Sequence, residues 1–425
     1  MKTTAVVLGG ILLFGSPLAN QQLPQAPAQE KAATEGSPAA PAASRLLTLR
    51  AALDLGSRQN LNLAAARLRR AIAQAGIRIA GQLPNPSASL TAARDAPHEG
   101  LLFEQTLEIG GKRARRIELA REEASLTNVE ISALERTVRQ RVREAYYEAA
   151  ASHAATAQRA RALELARRLQ EIARARFEAG DVPQLDVIQA ELEVSRAETE
   201  LEVARQRERV TQAQLNALLN EPFDALWELA GQLEDVLPPL ALADLTERAA
   251  RSSPEIERLA AEQKIEERRR SLLQAERIPN LSVQFGSDFN SPGDFRAGPR
   301  GGLALTLPLF TRNQGELSQS AATLLVLRGE AAAARRSVTG RVEVAYYEWR
   351  TRQAQVELYR RVLVPSAQRL EALAEESYRE GKAGLLTVLD ARRNVQQVER
   401  EYIESLLAMH EAFAELEETV GTPLD

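Results

Sequence analysis

The sequence predicts an α+β fold in which two long helical rods carry two pairs of short β-strands, and three observations lead to it. First, Arg113 to Gly180 reads as one helix, with Ile117, Ala120, Ala124, Thr127, Ile131, Leu134, Val138, Val142, Ala145 and Ala149 recurring at alternating steps of three and four. That is a coiled-coil period, with Arg and Glu in the gaps. Neither Pro nor Gly interrupts it, so at 1.5 Å per residue it is roughly 100 Å long. Second, the rod returns about 200 positions later. Arg141-Val-Arg-Glu-Ala-Tyr-Tyr-Glu148 recurs as Arg341-Val-Glu-Val-Ala-Tyr-Tyr-Glu348, and Phe177-Glu-Ala-Gly180 as Tyr378-Arg-Glu-Gly381. Third, ahead of each rod the apolar period changes from 3.6 to 2, which is the change from helix to strand.

Composition agrees with rods rather than a bulky core. Of 425 residues, 26% are charged and only 4% aromatic, with a formal net charge of -4. A weakly acidic chain without a basic cluster argues against nucleic acid as a partner. The N-terminus, Lys2, the apolar run Ala5 to Phe14, and Ser16-Pro-Leu-Ala19, predicts a signal peptide over residues 1–19, cut near Ala19 or Asn20. A membrane anchor needs a longer apolar run. Residues 20–45, rich in Pro, Ala and Gln, are expected to be a disordered leader. There is no Cys, so an exported chain has neither disulfides nor a lipidated N-terminal Cys.

The first repeat, 46–222, opens with a helix whose apolar positions include Leu53, Leu61, Leu68, Ile72 and Ile79 and which Pro84-Asn-Pro86 stops. A hairpin over 84–110 follows. In it Ala88, Leu90 and Ala92 alternate with Ser87, Ser89 and Thr91, and Phe103, Leu107 and Ile109 with Glu104, Thr106 and Glu108. Gly110-Gly-Lys-Arg113 is the strand-to-helix turn, its glycines supplying the conformation. The long helix spans 113–179, Gly180 reverses the chain, and a helix over 185–219 returns to Asn220-Glu-Pro222. Residues 223–240, with Trp227 and Pro238-Pro239, form a compact linker. The second repeat, 241–425, keeps the order: a helix stopped by Pro279-Asn280, a hairpin over 279–310, a long helix over 313–380, the Gly381 turn, and a helix over 385–420. In each unit two short helices laid end to end match the rod in length.

Strands that are apolar on one face and polar on the other suit a bilayer-spanning barrel wall. Phe103, Phe285, Leu303, Leu305 and Leu307 are then the lipid-facing residues, with Phe289, Phe295 and Phe310 in or beside the same strands. Soluble hairpins packed on helices show the same alternation, but the rods leave nothing at that end to cover them. Four strands close no barrel, and an open edge in lipid is forbidden. The chain must therefore oligomerise: two chains give eight strands, three give twelve, and the residues alone do not choose.

On these residues the chain resembles the TolC family of outer-membrane efflux proteins over nearly everything after residue 45. The duplicated plan, Leu83-Pro-Asn-Pro86 before the first strand, and the paired tips Gly180 to Ala190 and Gly381 to Ala391 carry the resemblance. It implies a homotrimer with a twelve-stranded β-barrel in the outer membrane, continued by a long periplasmic coiled-coil barrel of helices. It also implies docking onto a periplasmic adaptor and an inner-membrane RND-type pump. Thr106-Leu-Glu-Ile-Gly-Gly-Lys-Arg113 resembles the branch that serves cobalt-zinc-cadmium and other heavy-metal pumps, although the second copy has Leu309-Phe-Thr-Arg312 there, without the glycines. The alternatives are a duct of the same kind for drugs or secreted polypeptides, or a soluble periplasmic coiled-coil scaffold.

No catalytic constellation, phosphate loop or cofactor motif appears. With three His, no Cys and two Met in the whole chain, a tight soft-metal site is not expected, so any metal selection belongs to the pump. His98, His153 and His410 read as surface or packing residues. Function is expected at the tips: Gly180, Asp181, Gly381 and Lys382 at the reversals, where adaptor and pump would touch. By resemblance the gate lies just beyond, with Asp390 at a family gate position, Thr387 where some members have a second Asp, and Asp186 and Gln189 in the first copy. An Asp390 ring in a trimer would pass cations and repel itself. A carboxylate is also favourable in a helix's first turn for local reasons alone.

Overall fold

The computed structural model describes residues 45–95, 97–230, 233–234, 239–291 and 295–424. The expected signal peptide and all of the leader except Arg45 lie outside them. Arg45 is not leader-like: with Leu46 and Leu47 it forms a short strand, β1 (Arg45–Leu47), and the first helix begins only at Leu49.

The expected first helix is two helices, α1 (Leu49–Gln59) and α2 (Leu61–Ala80). Asn60 separates them at φ -59° and ψ 121°, where its side chain caps α2 by accepting from the Leu63 N–H and donates to the Leu218 carbonyl at 3.1 Å. A residue with a short amide side chain competes with the helix for its own backbone donors. The hairpin follows as β2 (Ser87–Ala92) and β3 (Glu99–Leu107), so Ile109 lies past the strand. The rod α3 (Lys112–Glu178) is unbroken over 67 residues, and α4 (Gln184–Leu219) returns beside it.

The linker is more than a connection. Its β4 (Trp227–Leu229) pairs in parallel with β1, and the Tyr146 hydroxyl of α3 donates to the Leu47 carbonyl at 3.1 Å. The helix expected from 241 is again two, α5 (Leu242–Ser252) and α6 (Pro254–Glu276), because Pro254 starts a helix readily but cannot continue one. Then come β5 (Leu281–Ser291) and β6 (Phe295–Leu305); β6 stops before Leu307 and Leu309, which the sequence had placed in it, since Pro308 has no N–H for a ladder.

The second rod is helical over its whole length, with one wider turn inside it. It runs as α7 (Gln314–Leu358), a π-helical turn Tyr359–Leu363, and α8 (Val364–Arg379), before α9 (Leu385–Val420) returns. Pro365 cannot donate to the Arg361 carbonyl, and the turn before it widens so that the Val364 N–H reaches Tyr359 O.

All four long strands form one antiparallel sheet, in the order β2-β3-β5-β6. The two repeats join at its centre, where Phe103 pairs with Phe285 and Leu107 with Leu281. Helices follow the same order. Near the sheet α2, α3, α6 and α7 lie side by side, and away from it α4, α3, α9 and α8 do. The half-rods α2 and α4 both pack on α3, and α6 and α9 lie between the rods. The main core sits at mid-height, where Val142, Tyr146, Leu215, Val342, Trp349, Phe413 and Leu416 meet beneath β1 and β4. Among the described residues no helix is long and apolar enough to cross a membrane.

Candidate conducting face and gate

The pairing register sorts most of the sheet's side chains into two faces, with Leu102 on the polar one and Gln105 and Ser287 on the apolar one as the exceptions at its middle. Ala88, Phe103 and Phe285 lie on one face with Leu101, Val283, Leu303 and Leu305, whereas Ser89, Glu104, Gln284, Asp288 and Arg300 lie on the other. On the apolar face the rings of Phe103 and Phe285 stack with centroids 5.5 Å apart. Phe285, Leu303 and Leu305 are exposed there, with nothing of this chain over them. On the polar face the Gln284 amide donates to Glu104 Oε2 at 3.0 Å, Arg300 stands 3.5 Å from Asp288, and the Thr106 and Ser282 hydroxyls are 3.4 Å apart. One face is suited to lipid and the other to water.

The Gly-Gly turn fastens this sheet to the helices. Gly110 and Gly111 adopt φ +78° and +74°, which a side chain rarely tolerates. The buried Lys112 ammonium donates to Asn280 Oδ1 at 2.6 Å, and Arg113 Nε donates to the Gly81 carbonyl at 2.7 Å. Arg116 grips Glu108 with one guanidinium nitrogen at 2.9 Å. These three bonds tie the end of β3, the end of α2 and the Pro279-Asn280 stop together. The second copy does the same job differently, with Asn313 at φ 53° donating to Leu273 O at 3.2 Å.

At the far end the chain reverses twice, with Gly180 at φ +82° and Gly381 at φ +73°. Asp181 follows the first reversal, and Lys382 pairs with Glu380 at 2.6 Å at the second. The two helical hairpins share one small core of Leu169, Ala173, Ala190, Ala374, Tyr378, Leu385, Val388 and Leu389. Arg176 of the first hairpin clasps the second: it donates to the Tyr378 carbonyl at 2.9 Å, and its guanidinium lies 4.7 Å above the Tyr378 ring. Burial pushes the Tyr378 phenol above its ordinary pKa, and the nearby Asp186 adds to it while Arg176 opposes. Asp186 and Gln189 are half-buried. Leu386, Thr387 and Asp390 instead lie exposed on one face of the start of α9, with the Asp390 side chain 59% accessible and 3.7 Å from Arg393. Arg393 also reaches across to Glu193 at 3.8 Å.

Sequence reasoning missed the charges around this tip. Arg392 is buried between Glu375 at 3.0 Å and Glu371 at 3.5 Å, and burial raises the Glu371 pKa against the opposing pull of Arg392. At the corresponding place in the first repeat the signs are exchanged, since Arg174 of α3 holds Glu191 of α4 at 3.0 Å on the surface. Aligning the repeats by their tip glycines is the signal that finds this pair. Also missed was an open groove of about 1320 Å³ where α3, α7 and α9 meet. Seven glutamates line it, among them Glu144, Glu343, Glu411 and Glu418, against one cation, Arg352. Burial first, then neighbouring carboxylates, raise the pKa of Glu144 and of Glu411. These carboxylates do not converge, and among the described residues no group of His, Asp or Glu is arranged to hold a metal ion. Of the histidines, His410 is buried and stacked on Tyr147 with centroids 3.6 Å apart, and His153 pairs with Glu208 on the surface.

A four-stranded sheet with one apolar and one polar face, open at both edges and carried on a layer of helices, defines a fragment of a membrane channel wall. The model of the family described as outer membrane efflux protein matches residues 53–221 and 245–422. The chain belongs to that family and is an outer-membrane channel protein whose helical layer extends into the periplasm. It is 27% identical over 381 residues to the cobalt-zinc-cadmium resistance protein CzcC of Cupriavidus metallidurans, an alignment covering 88% of this chain and 90% of that one. A crystal structure of a membrane protein from Pseudomonas aeruginosa is similar at TM-score 0.73 and 20% identity, covering 88% and 90% of the two chains. The outer membrane protein VceC of Vibrio cholerae is similar at TM-score 0.70 and 18% identity, covering 89% and 97%.

Proposed function

We propose that this chain is the exit duct of a tripartite efflux pump for heavy-metal cations. Three copies close a twelve-stranded barrel with Phe103, Phe285, Leu303 and Leu305 toward lipid and Leu307 at its rim. Their helical layers form the periplasmic tunnel, whose tips around Gly180, Asp181, Gly381 and Lys382 meet the periplasmic adaptor and the inner-membrane RND-type pump. The duct is passive and needs no cofactor. The likeness to CzcC over nearly the whole of both chains carries the choice of cargo, and the glutamate-lined groove supports it, because an acidic lining favours cations without trapping them. Deleting the gene is expected to sensitise cells to zinc, cobalt or cadmium while drug tolerance stays unchanged. Sensitivity to hydrophobic drugs alone would overturn the metal reading.

Asp390 and Thr387 form the narrowest ring of the closed tip in this reading, since they are exposed polar side chains near the start of α9. Asp390→Ala is expected to lower cation preference and change single-channel conductance in a planar bilayer, because one charge per chain leaves the mouth. If conductance and selectivity match the unmodified channel, Asp390 serves only as the surface partner of Arg393.

A further inference from the structure

We propose that Arg393 tunes how tightly the tip holds a divalent cation, and that Glu193 sets this strength by drawing the Arg393 guanidinium off the Asp390 carboxylate. This rests on the reading of Asp390 as the gate above and names the residues that adjust it.

Asp390 shares a face with the acidic groove. Along α9, Asp390, Gln397, Glu404, Glu411 and Glu418 recur at steps of seven, so a supercoiled helix carries them in one column. Glu411 and Glu418 line the groove where α3, α7 and α9 meet, and Glu144 and Glu148 line it from α3. Those two each stand two residues from Tyr146, about 200° round the helix, and the Tyr146 hydroxyl reaches β1. The groove therefore looks away from the β1 and β4 pair, and in the duct reading this is the side that the ring of chains encloses. A cation leaving the Asp390 mouth continues along carboxylates.

The mouth is not lined by carboxylates alone. Arg392 and Arg393 are consecutive, yet the fold buries Arg392 between Glu371 and Glu375 and leaves Arg393 exposed. Arg393 Nη1 lies 3.7 Å from Asp390 Oδ1, and its Nη2 lies 3.8 Å from Glu193 Oε2 of α4. Glu193 is the more enclosed carboxylate, 14% accessible against 59% for Asp390. Water screens it less, so its pull on the shared guanidinium is the stronger one. Arg196, one turn along α4, stands 3.9 Å from the same Glu193. Aligned by Gly180 and Gly381, the first repeat has Leu192 where the second has Arg393, so this counter-charge belongs to the copy that bears the gate. A pore has to bind its ion well enough to admit it and weakly enough to release it. Three bare Asp390 carboxylates favour entry, and a guanidinium beside each repels a divalent ion twice as strongly as a monovalent one. Arg393 thereby keeps the ring from becoming a trap.

Full-length protein in a planar bilayer tests this, with K+ carrying the current and Mg2+ as the divalent probe, which carboxylates take and imidazole does not. Arg393→Gln is expected to halve the K+ current at about tenfold less Mg2+ than the unmodified channel, since a divalent ion a few ångströms from a guanidinium is repelled by about that much even in water. Arg393→Lys keeps the charge and is expected to stay close to the unmodified channel. Glu193→Gln releases Arg393 to Asp390 and is expected to need several-fold more Mg2+, a shift in the opposite direction that mere loosening of the tip does not give. If Asp390→Ala alters conductance but Arg393→Gln and Glu193→Gln shift the same way, or do not shift, the tuning alone is overturned. If Asp390→Ala conducts and responds to Mg2+ as the unmodified channel does, the gate reading falls and the tuning with it.

Discussion

Phe285→Arg is expected to remove the protein from the outer membrane, and Gln284→Arg, one position away, to leave it there. Phe285 lies mid-strand on the apolar face, paired with Phe103 on one side and Gly301 on the other. An arginine facing lipid near the midplane costs about 2–4 kcal/mol per strand, and a trimer incurs it three times. Gln284 points to the opposite face, where it already donates to Glu104 at 3.0 Å; an arginine there gains a carboxylate partner in water. Membrane fractionation and heat-modifiable migration read both outcomes. Equal behaviour of the two variants would mean that the sheet's faces are not divided between lipid and water.

Glu417→Ala is expected to destabilise the mid-height core by about 3–5 kcal/mol, the usual consequence of taking one partner from a buried ion cluster. Glu417 is 6% exposed and Arg143 2%. The carboxylate receives Arg139 Nε at 2.9 Å, Arg143 Nη2 at 3.1 Å and the Leu424 N–H at 3.1 Å, and Arg143 also lies 5.2 Å above the Phe413 ring. Alanine leaves a guanidinium deep in the core without the carboxylate it faces, and frees the chain's C-terminal turn. Loss of helical signal on heating measures this. A shift no larger than that of Glu415→Ala, a charge on the groove side of the same helix, would show that the cluster contributes little.

The tip shows how far local signals reach. Gly180 and Gly381 were legible because each reversal needs a positive φ, and a glycine stands at the end of each long helical pattern. The clasp between Arg176 and Tyr378 was not, since it joins positions 202 apart in sequence and no periodicity refers to it. Asp186 lies in the first turn of α4, but Asp390, expected in a first turn too, lies beyond the first turn of α9, and the fold leaves Asp390 exposed while half-burying Asp186 near Tyr378. The break at Asn60 and the wide turn at Tyr359–Leu363 were also unread. Apolar spacing carries through a single cap residue or a wide turn almost unchanged, so a period cannot report them.

By itself, then, the sequence determined the duplicated plan of rods and hairpins, the apolar and polar face of each strand, and the stops at Pro84, Pro222, Pro279 and Pro423. These depend on spacing and turn chemistry within a few residues. Only the tertiary structure decided that β3 meets β5, that β4 of the linker pairs with β1, which glutamates share a groove, and which faces of α2 and α7 remain uncovered. Those outcomes follow from packing segments far apart in the chain, where burial and pairing are satisfied jointly and no local pattern records the partner.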